Sequence, residues 1–342
     1  MCMRINKFHY AILLNFFSFT FVSKLSKLLV VRFSSIGDIV LTSPVVRILK
    51  QNQFEVHFLT KKKYSPLLVN NPHIDKLYCF NKTINEAKSE IVNENYDFII
   101  DLHNNIRSQS LRLLNVPIKR YSKSNFKKFI YMKFNLNFLN NEHVVDRYVK
   151  TISFLNLKND NKGLDFFLNP NDKVEFDINQ NFASWCIGAS KKEKKLSKSQ
   201  ILKIIASLNL PVVLLGGEDE KEMGDAIVAE SQETKIYNYC GNITVNQSAY
   251  LIKYSQFLLT NDTGLMHIGA AFNKKIISFW GCTKPDLGFA PYVDASQSLM
   301  FTSSFSKRQC SKHGSSCRYT KDGCVKTIDT DKAIKKIVRF TS

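Results

Sequence analysis

Residues that could bind an anion lie in a turn within the segment Phe257 to Trp280. The turn, Asn261 to Gly264, follows a short apolar run typical of a buried strand and precedes apolar residues at helical spacing. The free amides of a helix N-terminus can bind a phosphate, and the side-chain oxygens of Asp262 and Thr263 can bind a ribose. The alternative is that Asp262 or Thr263 only caps the helix.

A carboxylate follows the first predicted strand, Leu28 to Phe33. It is Asp38, in the sequence Ser-Ser-Ile-Gly-Asp. A helix is predicted from about Ile39 to Lys50, with a start or a kink at Pro44. The place of Asp38 in the sequence is compatible with an N-cap of this helix.

Two further polar clusters follow predicted strands. The strand Tyr96 to Asp101 is followed by Leu-His-Asn-Asn-Ile-Arg at 102–107, and the strand Val212 to Leu215 by Gly-Gly-Glu, which ends at Glu218. In an open α/β sheet, ligands bind at the carboxyl ends of the strands. Glu218 is also compatible with an acidic first-turn residue of the helix that follows.

Strands and helices alternate along both halves of the 342-residue chain. The length fits two domains of about 150 residues, and a hydrophobic content of 44% excludes a disordered chain. The alternation predicts an α/β protein with parallel sheets. We expect domains at 26–168 and 169–326, a C-terminal helix within 327–342, and an apolar leader at 1–25.

The leader contains an uncharged apolar run, Tyr10 to Val22. This run is shorter than the roughly 20 residues of a membrane span, and no small-residue cleavage site follows it. An interfacial anchor and an upstream extension remain as interpretations, and we favour the extension.

The net charge of +19 favours an anionic partner, or part of it reflects compositional drift without a partner, since the lysines are spread along the chain. No nucleic-acid-binding signature is present, which leaves an anionic membrane surface or a phosphate-rich substrate. Residues 119–135 carry six lysines or arginines among aromatic residues. They form either a solvated helix face or a patch that meets an acidic acceptor or lipid head groups.

Eight cysteines occur in the sequence, and the first five are scattered, as is typical of reduced thiols in a cytoplasmic protein. The last three, Cys310, Cys317 and Cys324, are evenly spaced, with His313 between them. These four residues could bind zinc, although the tight CxxC spacing is missing. A reduced cluster is our first interpretation, and a metal or a disulfide is the alternative.

Two segments resemble glycosyltransferase family 9, the ADP-heptose:lipopolysaccharide heptosyltransferases. They are LLVVRFSSIGDIVLTSPVVRILK at 28–50 and TNDTGLMHIGAAFNKKIISFWGCT at 260–283, and GASKKEKKLS at 188–197 and PVVLLGGEDE at 211–220 lie between them in family order. The resemblance covers about residues 26–342. It implies a GT-B fold of two facing Rossmann-like domains, with the acceptor in the first, the donor in the second and the last helix crossing back to the first. It also implies an inverting transfer without a metal or other cofactor.

The resemblance assigns roles to particular residues. Asp38 corresponds to the proposed general base, Lys194 to the lysine that meets the donor phosphates, and Glu218 to the acid near the ribose. Lys194 lies in a run of lysines, so Lys192 or Lys195 could take its place. The donor-binding turn corresponds to Asp262, Thr263, Gly264 and His267. On the acceptor side we expect Ser35, Gly37, His103, Asn104 and Arg107.

The expected activity is transfer of a heptose from an ADP-heptose-type donor to a lipopolysaccharide-core or related acidic glycolipid. The enzyme would be cytoplasmic and peripheral on the inner membrane. A family member that uses another nucleotide sugar, and a non-catalytic nucleotide-sugar-binding protein, are the alternatives. A nicotinamide dehydrogenase is disfavoured, because neither half has a GxGxxG turn after its first strand.

Overall fold

The computed structural model of the chain describes residues 27–342 apart from 135, 137, 139–141, 232–234, 306–308 and 312. The predicted leader, with its apolar run Tyr10 to Val22, lies outside the described residues. Two parallel sheets organise the rest of the chain, one in each half. The predicted α/β class is therefore confirmed.

The first sheet has five parallel strands in the order β3-β2-β1-β4-β5. Its strands are β1 Lys27–Val31, β2 Glu55–Lys61, β3 Lys76–Phe80, β4 Phe98–Asp101 and β5 Ile118–Arg120. Strand β5 was not predicted, because its three residues begin the basic stretch 119–135 and carry no apolar run.

The second sheet has six parallel strands in the order β11-β10-β9-β6-β7-β8. Its strands are β6 Ala183–Cys186, β7 Val212–Leu215, β8 Ile236–Asn238, β9 Phe257–Asn261, β10 Lys275–Trp280 and β11 Ser298–Thr302. Read from β8, this is the Rossmann order, and the first sheet has the same order without its sixth strand. Strand β11 was also missed in the sequence.

The strand order reverses between β1 and β4 in the first sheet and between β6 and β9 in the second. Val31 pairs with Asp101, and Cys186 pairs with Thr260, so the loops that follow these strands start side by side. Such switch points are where open α/β sheets bind ligands. The polar clusters after β1, β4 and β9 therefore lie at the two switch points.

Helices cover both faces of the sheets, and within the described residues no helix is both long enough and apolar enough to cross a bilayer. The α-helices are α1 Ile36–Val40, α2 Ser43–Gln51, α3 Lys88–Val92, α4 Ile106–Gln109, α5 Asn125–Phe134, α6 Val144–Val149, α7 Lys198–Ile205, α8 Lys221–Glu230, α9 Val245–Tyr254, α10 Gly264–Ala271 and α11 Thr330–Thr341. The predicted helix at 39–50 is two helices in the structure, and the second, α2, begins at Ser43. Pro44 lies in the first turn of α2, where its missing N–H costs no hydrogen bond.

The segment between the two sheets, residues 156–182, has little regular structure. A single 3₁₀ turn, Pro170–Asp172, is its regular element among the described residues. The predicted boundary between residues 168 and 169 lies in this segment. One apolar core spans both domains, since Val144 and Tyr148 of α6 belong to the same buried cluster as Met266 of α10.

The C-terminal helix α11 packs on the second domain. Ala333 and Ile337 are buried in the core of that domain, and Lys203 of α7 donates to Asp331 at 2.9 Å. These contacts are all with the second domain, which contradicts the prediction that this helix packs back on the first domain. Its apolar stripe fits the groove beside α7 and β11, and the sequence indicates an amphipathic helix without indicating which surface it covers.

Candidate active site between the domains

Two glycines allow the domains to approach closely at the starts of α1 and α10. A Cβ atom at Gly37 would lie 2.6 Å from Cδ2 of His267, and one at Gly264 would lie 2.7 Å from Cβ of Ile36. Both distances are too short for a side chain, so only glycine fits at these positions. The contact brings the loop of Asp38 against the start of α10, and the charges of Asp38, Asp262 and Lys194 all act on His267. We call this junction between the domains the cleft, with Asp38 on its first-domain wall and the turn before α10 on its second-domain wall.

Asp38 is an ionised carboxylate held by defined contacts. Its Oδ1 accepts from Nη2 of Arg32 at 2.8 Å, and its Oδ2 accepts from the N–H of Ser35 at 3.2 Å and from Oγ of Ser35 at 3.0 Å. Burial would raise the pKa of Asp38, but Arg32 and the hydrogen bonds from Ser35 outweigh it and hold the pKa below its ordinary value.

The N-cap of α1 is Ser35, and Asp38 is the third residue of that helix, so Asp38 is not the N-cap considered in the sequence. Asp38 and Ser35 form a capping box. The role of Asp38 as a base stays a prediction. Its side chain is still partly exposed to the cleft. A carboxylate has about four acceptor sites, so the three bonds from Arg32 and Ser35 leave capacity for a substrate hydroxyl.

Arg32 fixes this carboxylate, and its role was not predicted. It is buried at the end of β1, where it donates to the backbone oxygen of Ser34 at 2.7 Å, to that of Leu102 at 2.7 Å and to the hydroxyl of Tyr148 at 2.9 Å. It thus ties the β1 loop to the β4 loop and to α6. A single arginine inside the apolar run LLVVRF was the available signal in the sequence.

Lys194 and Asp262 form a buried ion pair on the opposite wall. Lys194 is 7% exposed, and its Nζ lies 2.5 Å from Oδ2 of Asp262. The same carboxylate oxygen accepts a hydrogen bond from Oγ1 of Thr283 at 2.7 Å. Lys195 instead pairs with the buried Glu220. The structure therefore separates the neighbouring lysines and brings Lys194 to the predicted donor turn.

Helix α10 starts at this turn without a side-chain cap. Thr263 is its N-cap residue but makes no capping hydrogen bond among the described residues, and its Oγ1 lies 3.3 Å from Oγ1 of Thr260. Asp262 is engaged by Lys194 and Thr283, so the capping alternative is not realised here. The first-turn amides of α10, beginning at Gly264, form a site suited to a phosphate.

His267 and His103 are neutral side chains near the cleft. Burial lowers the pKa of His267, which is 4% exposed, to about 4, and it lowers the pKa of His103 to about 3. Their Nδ1 atoms are buried and have no hydrogen-bond partner among the described residues. Each imidazole can therefore offer a single uncharged hydrogen bond to a ligand.

The remaining acceptor-side residues follow β4. The N–H groups of His103 and Asn104 donate to Oδ1 of the buried Asp101 at 3.0 and 2.7 Å, which fixes the loop beside Asp38. Arg107 lies exposed on α4 and is not drawn into the contacts that hold Asp38. Asp101, which also accepts from Oγ of Ser108 at 2.7 Å, organises this loop and was not predicted.

A cationic groove of about 850 Å³ opens next to Asn104. Arg147 lies in its wall and is 6% exposed, and its Nε and Nη1 have no hydrogen-bond partner among the described residues. The basic residues of the groove are Arg120, Lys123, Lys127, Arg147 and Lys150, against one acidic residue, Glu142. Sequence analysis identified the basic stretch 119–135 but missed Arg147, whose signal is a charge on the apolar face of α6.

Glu218 lies at the start of a 3₁₀ turn after β7 and is exposed. A Cβ atom at Gly241 would lie 2.6 Å from its Oε2, so the carboxylate rests against that loop. The buried acid in this region is Glu220, which accepts from Lys195 and from the N–H of Gly217 at 2.9 Å. A role for Glu218 at a ribose stays a prediction.

Two facing Rossmann-type domains, with a carboxylate on one wall of the cleft and a lysine beside an uncapped helix N-terminus on the other, define a GT-B enzyme. The family model of glycosyltransferase family 9 (heptosyltransferase) matches residues 85–319, more than half of the chain. The chain belongs to glycosyltransferase family 9 and is a heptosyltransferase-like enzyme.

Similar proteins agree with this assignment. Lipopolysaccharide heptosyltransferase 1 of Campylobacter coli is 24% identical over 292 residues, which cover 75% of this chain and 84% of that relative. A family 9 glycosyltransferase from Veillonella parvula DSM 2008 matches with a TM-score of 0.76 at 20% identity, covering 93% of this chain and 97% of that one. The E. coli ADP-heptose lps heptosyltransferase II matches with a TM-score of 0.69 at 19% identity, covering 92% and 98%. The expected GT-B fold is confirmed.

Proposed function

We propose that the protein is an inverting glycosyltransferase that transfers a heptose from ADP-heptose to an acidic glycolipid of the lipopolysaccharide-core type. The observation that carries the proposal is the close approach of Gly37 to His267. This contact, together with the ion pair of Lys194 and Asp262 beside the start of α10, supports a reaction in which Asp38 and Lys194 act on the same substrate. The names of the relatives, lipopolysaccharide heptosyltransferases, support heptose and this acceptor class.

In this proposal the second domain binds the leaving nucleotide. The pyrophosphate lies at the N-terminus of α10, where Lys194 and the amides from Gly264 onward meet the negative charge that grows as the sugar leaves. His267 contributes an uncharged hydrogen bond. Glu218 accepts the hydroxyls of the ribose. These groups supply the stabilisation of the leaving group without requiring a metal ion.

The first domain supplies the base. The acceptor hydroxyl oxygen attacks the anomeric carbon on the face opposite the diphosphate, so that the new bond forms with inversion while the bond to the diphosphate breaks. The hydroxyl proton passes to Asp38, which is ionised at neutral pH. Because its pKa is lowered, Asp38 is a weak base, and we expect proton transfer to occur late, when the attacking oxygen has become acidic.

The cationic groove beside Asn104 is the proposed acceptor site. Arg147 can donate to a phosphate or carboxylate through the nitrogens that lack a partner among the described residues. Helix α5, beside the groove, exposes Phe126 at 74% along with Phe129, among several lysines. We propose that this face of α5 rests on an anionic membrane surface in which the acceptor is anchored.

Two variants separate the groove from the membrane face. Arg147→Met should raise KM for the acceptor by roughly 10- to 100-fold, because a charged hydrogen bond contributes about 1.5–3 kcal/mol. Phe129→Ser should raise KM only when the acceptor is presented in anionic vesicles, since Phe129 is exposed on α5 outside the groove lining. Initial rates with detergent-dispersed and vesicle-bound acceptor measure both. Equal effects of Phe129→Ser in the two formats would refute the membrane contact.

The nucleotide of the donor can be tested without an acceptor. We expect ADP to raise the melting temperature of the protein more than UDP, GDP or CMP at equal concentration, because binding to the folded state stabilises it by mass action. A larger increase in melting temperature with one of the other nucleotides would contradict ADP-heptose as the donor and favour a sugar linked to that nucleotide. Binding of ADP without turnover of any activated heptose would favour a non-catalytic binding protein.

A further inference from the structure

Four cysteine sulfurs lie close together just after the carboxyl end of β10. The Sγ atoms of Cys282, Cys310, Cys317 and Cys324 all lie within 4.8 Å of one another. Three of the separations are 3.7 Å between Cys282 and Cys324, 3.9 Å between Cys310 and Cys324, and 4.0 Å between Cys310 and Cys317. Three of these side chains are buried, and that of Cys317 is partly exposed.

These separations match the edges of a metal-centred tetrahedron. With metal–sulfur bonds of about 2.3 Å, tetrahedral geometry places the sulfurs about 3.8 Å apart. A disulfide would require an S–S distance of about 2.05 Å, which is far shorter than these separations. We propose that Cys282, Cys310, Cys317 and Cys324 form a closed tetrathiolate site that binds one zinc ion and has a structural role.

The surroundings of the sulfurs suit thiolate ligands. The N–H of Tyr319 and the Oγ1 of Thr320 each lie 3.5 Å from Sγ of Cys317 and donate to it. The N–H of Cys310 donates to the backbone oxygen of Cys282 at 3.0 Å, which joins the two loops that carry the ligands. Such outer contacts orient metal ligands and are a usual part of metal sites.

The ligand set differs from the one considered in the sequence. Cys282 supplies the fourth ligand and His313 does not, because Cys282 follows β10 and the fold brings the later loop back to the end of that strand. A second group of potential ligands, Glu55, His57 and Glu94, is also close together. There the carboxylate of Glu94 already accepts hydrogen bonds from Lys27 at 2.7 Å and from Lys76. The two lysine ammonium groups therefore neutralise this group, and we do not propose a metal there.

The metal site would position the donor turn, an inference that rests on the proposed function. Cys282 is adjacent to Thr283, whose hydroxyl donates to Asp262. A Cβ atom at Gly314 would lie 3.0 Å from Cδ of Lys194, so the cysteine-bearing loop packs directly against this lysine. A metal that fixes both loops therefore holds Lys194 and Asp262 in place. The cysteines are positioning residues and do not contact the substrate.

Metal analysis of the full-length protein tests the proposal. We expect about one zinc per chain after purification without added metal, and Cys317→Ser should lose most of it, since a closed site needs all four ligands. Cys79→Ser, at a partly exposed cysteine of the first domain, is the matched control and should retain the zinc. Iron in place of zinc would support the tetrathiolate site and contradict the choice of metal.

Cobalt substitution keeps the test valid if Cys317→Ser does not fold. Wild-type protein prepared with Co²⁺ should show the visible absorption of tetrahedral cobalt thiolate. Metal-free protein that folds with all eight cysteines as titratable thiols would overturn the proposal and favour the reduced cluster. Two disulfides found by mass spectrometry of the unreduced protein would also overturn it.

The link to the donor turn has its own measurement. Cys317→Ser should weaken ADP binding by about tenfold or more, while Cys79→Ser should not, and restoring metal to a chelator-treated wild type should restore affinity. Zinc at full occupancy in a protein that turns over no nucleotide sugar would refute the proposed function and leave the metal site standing. Loss of zinc with unchanged ADP affinity would refute the positioning role.

Discussion

Asp38→Asn is expected to lower kcat by about 10²- to 10⁴-fold while leaving the affinity for ADP unchanged. The substitution keeps the shape of the side chain and removes its ability to accept a proton. Arg32 retains its hydrogen bonds to Ser34, Leu102 and Tyr148, so the loop should keep its conformation. Turnover by coupled ADP detection and ADP binding by calorimetry measure the two quantities separately.

Asp75→Asn is the matched control for this substitution. Asp75 pairs with Lys50 at the surface of the same domain, away from the cleft, and its loss should leave kcat unchanged. If Asp38→Asn retains turnover within about tenfold of the wild type, Asp38 serves only in the capping box of α1 and another group takes the proton.

The pH dependence of turnover provides a second check on the same assignment. Asp38 is ionised above its lowered pKa and becomes protonated only as the pH falls through that value, so its activity is lost only in acid. His267 and His103, with pKa values of about 4 and about 3, are neutral well before neutral pH. We therefore expect kcat/KM to be flat between about pH 6 and pH 8 with respect to these groups. A limb with a midpoint near neutral pH would contradict their roles.

Lys194→Met is expected to reduce kcat/KM for the donor by roughly 10- to 100-fold or more. The lysine meets the leaving diphosphate, and loss of one charged hydrogen bond costs about 1.5–3 kcal/mol. The effect should be larger on kcat than on ADP affinity, because the charge on the diphosphate is greatest in the transition state. Donor kinetics under saturating acceptor measure the difference.

The same substitution leaves Asp262 without its cation, which would destabilise the fold by up to about 3–5 kcal/mol. The double variant Lys194→Met with Asp262→Asn removes both charges, so it should recover stability without recovering turnover. Lys195→Met is the control for the neighbouring lysine, which pairs with Glu220. A greater loss of turnover in Lys195→Met than in Lys194→Met would show that Lys195, and not Lys194, binds the leaving diphosphate.

The turns of the site could be predicted because their signals are local. The sequences around Asp38 and Asp262 each contain a strand, a polar turn and a helix start within about a dozen residues, and chain alternation places such turns at the carboxyl edge of a parallel sheet. The choice between cap and site residue was not local. For Asp262 it depended on Lys194 and Thr283, which reach its turn from distant loops. For Asp38 it depended on Arg32, which is fixed by contacts with Leu102 and Tyr148 elsewhere in the domain.

Features that arise from tertiary contacts were not predicted from the sequence. Arg147 faces the groove only because α6 packs between the domains, and Cys282 joins the later cysteines only because their loop returns to β10. The surface covered by α11 was wrongly predicted for the same reason, since its apolar stripe, with Ala333 and Ile337, does not indicate which surface it covers. The short strands β5 and β11 have too few apolar residues to stand out by periodicity.

The most direct test of the account is release of ADP from ADP-heptose by the purified protein in the presence of a core glycolipid acceptor. The account predicts that one ADP is released for each heptose transferred, that the new bond has the inverted anomeric configuration, and that Asp38→Asn abolishes both. A folded protein that binds ADP but releases none from any activated heptose would contradict the central claim.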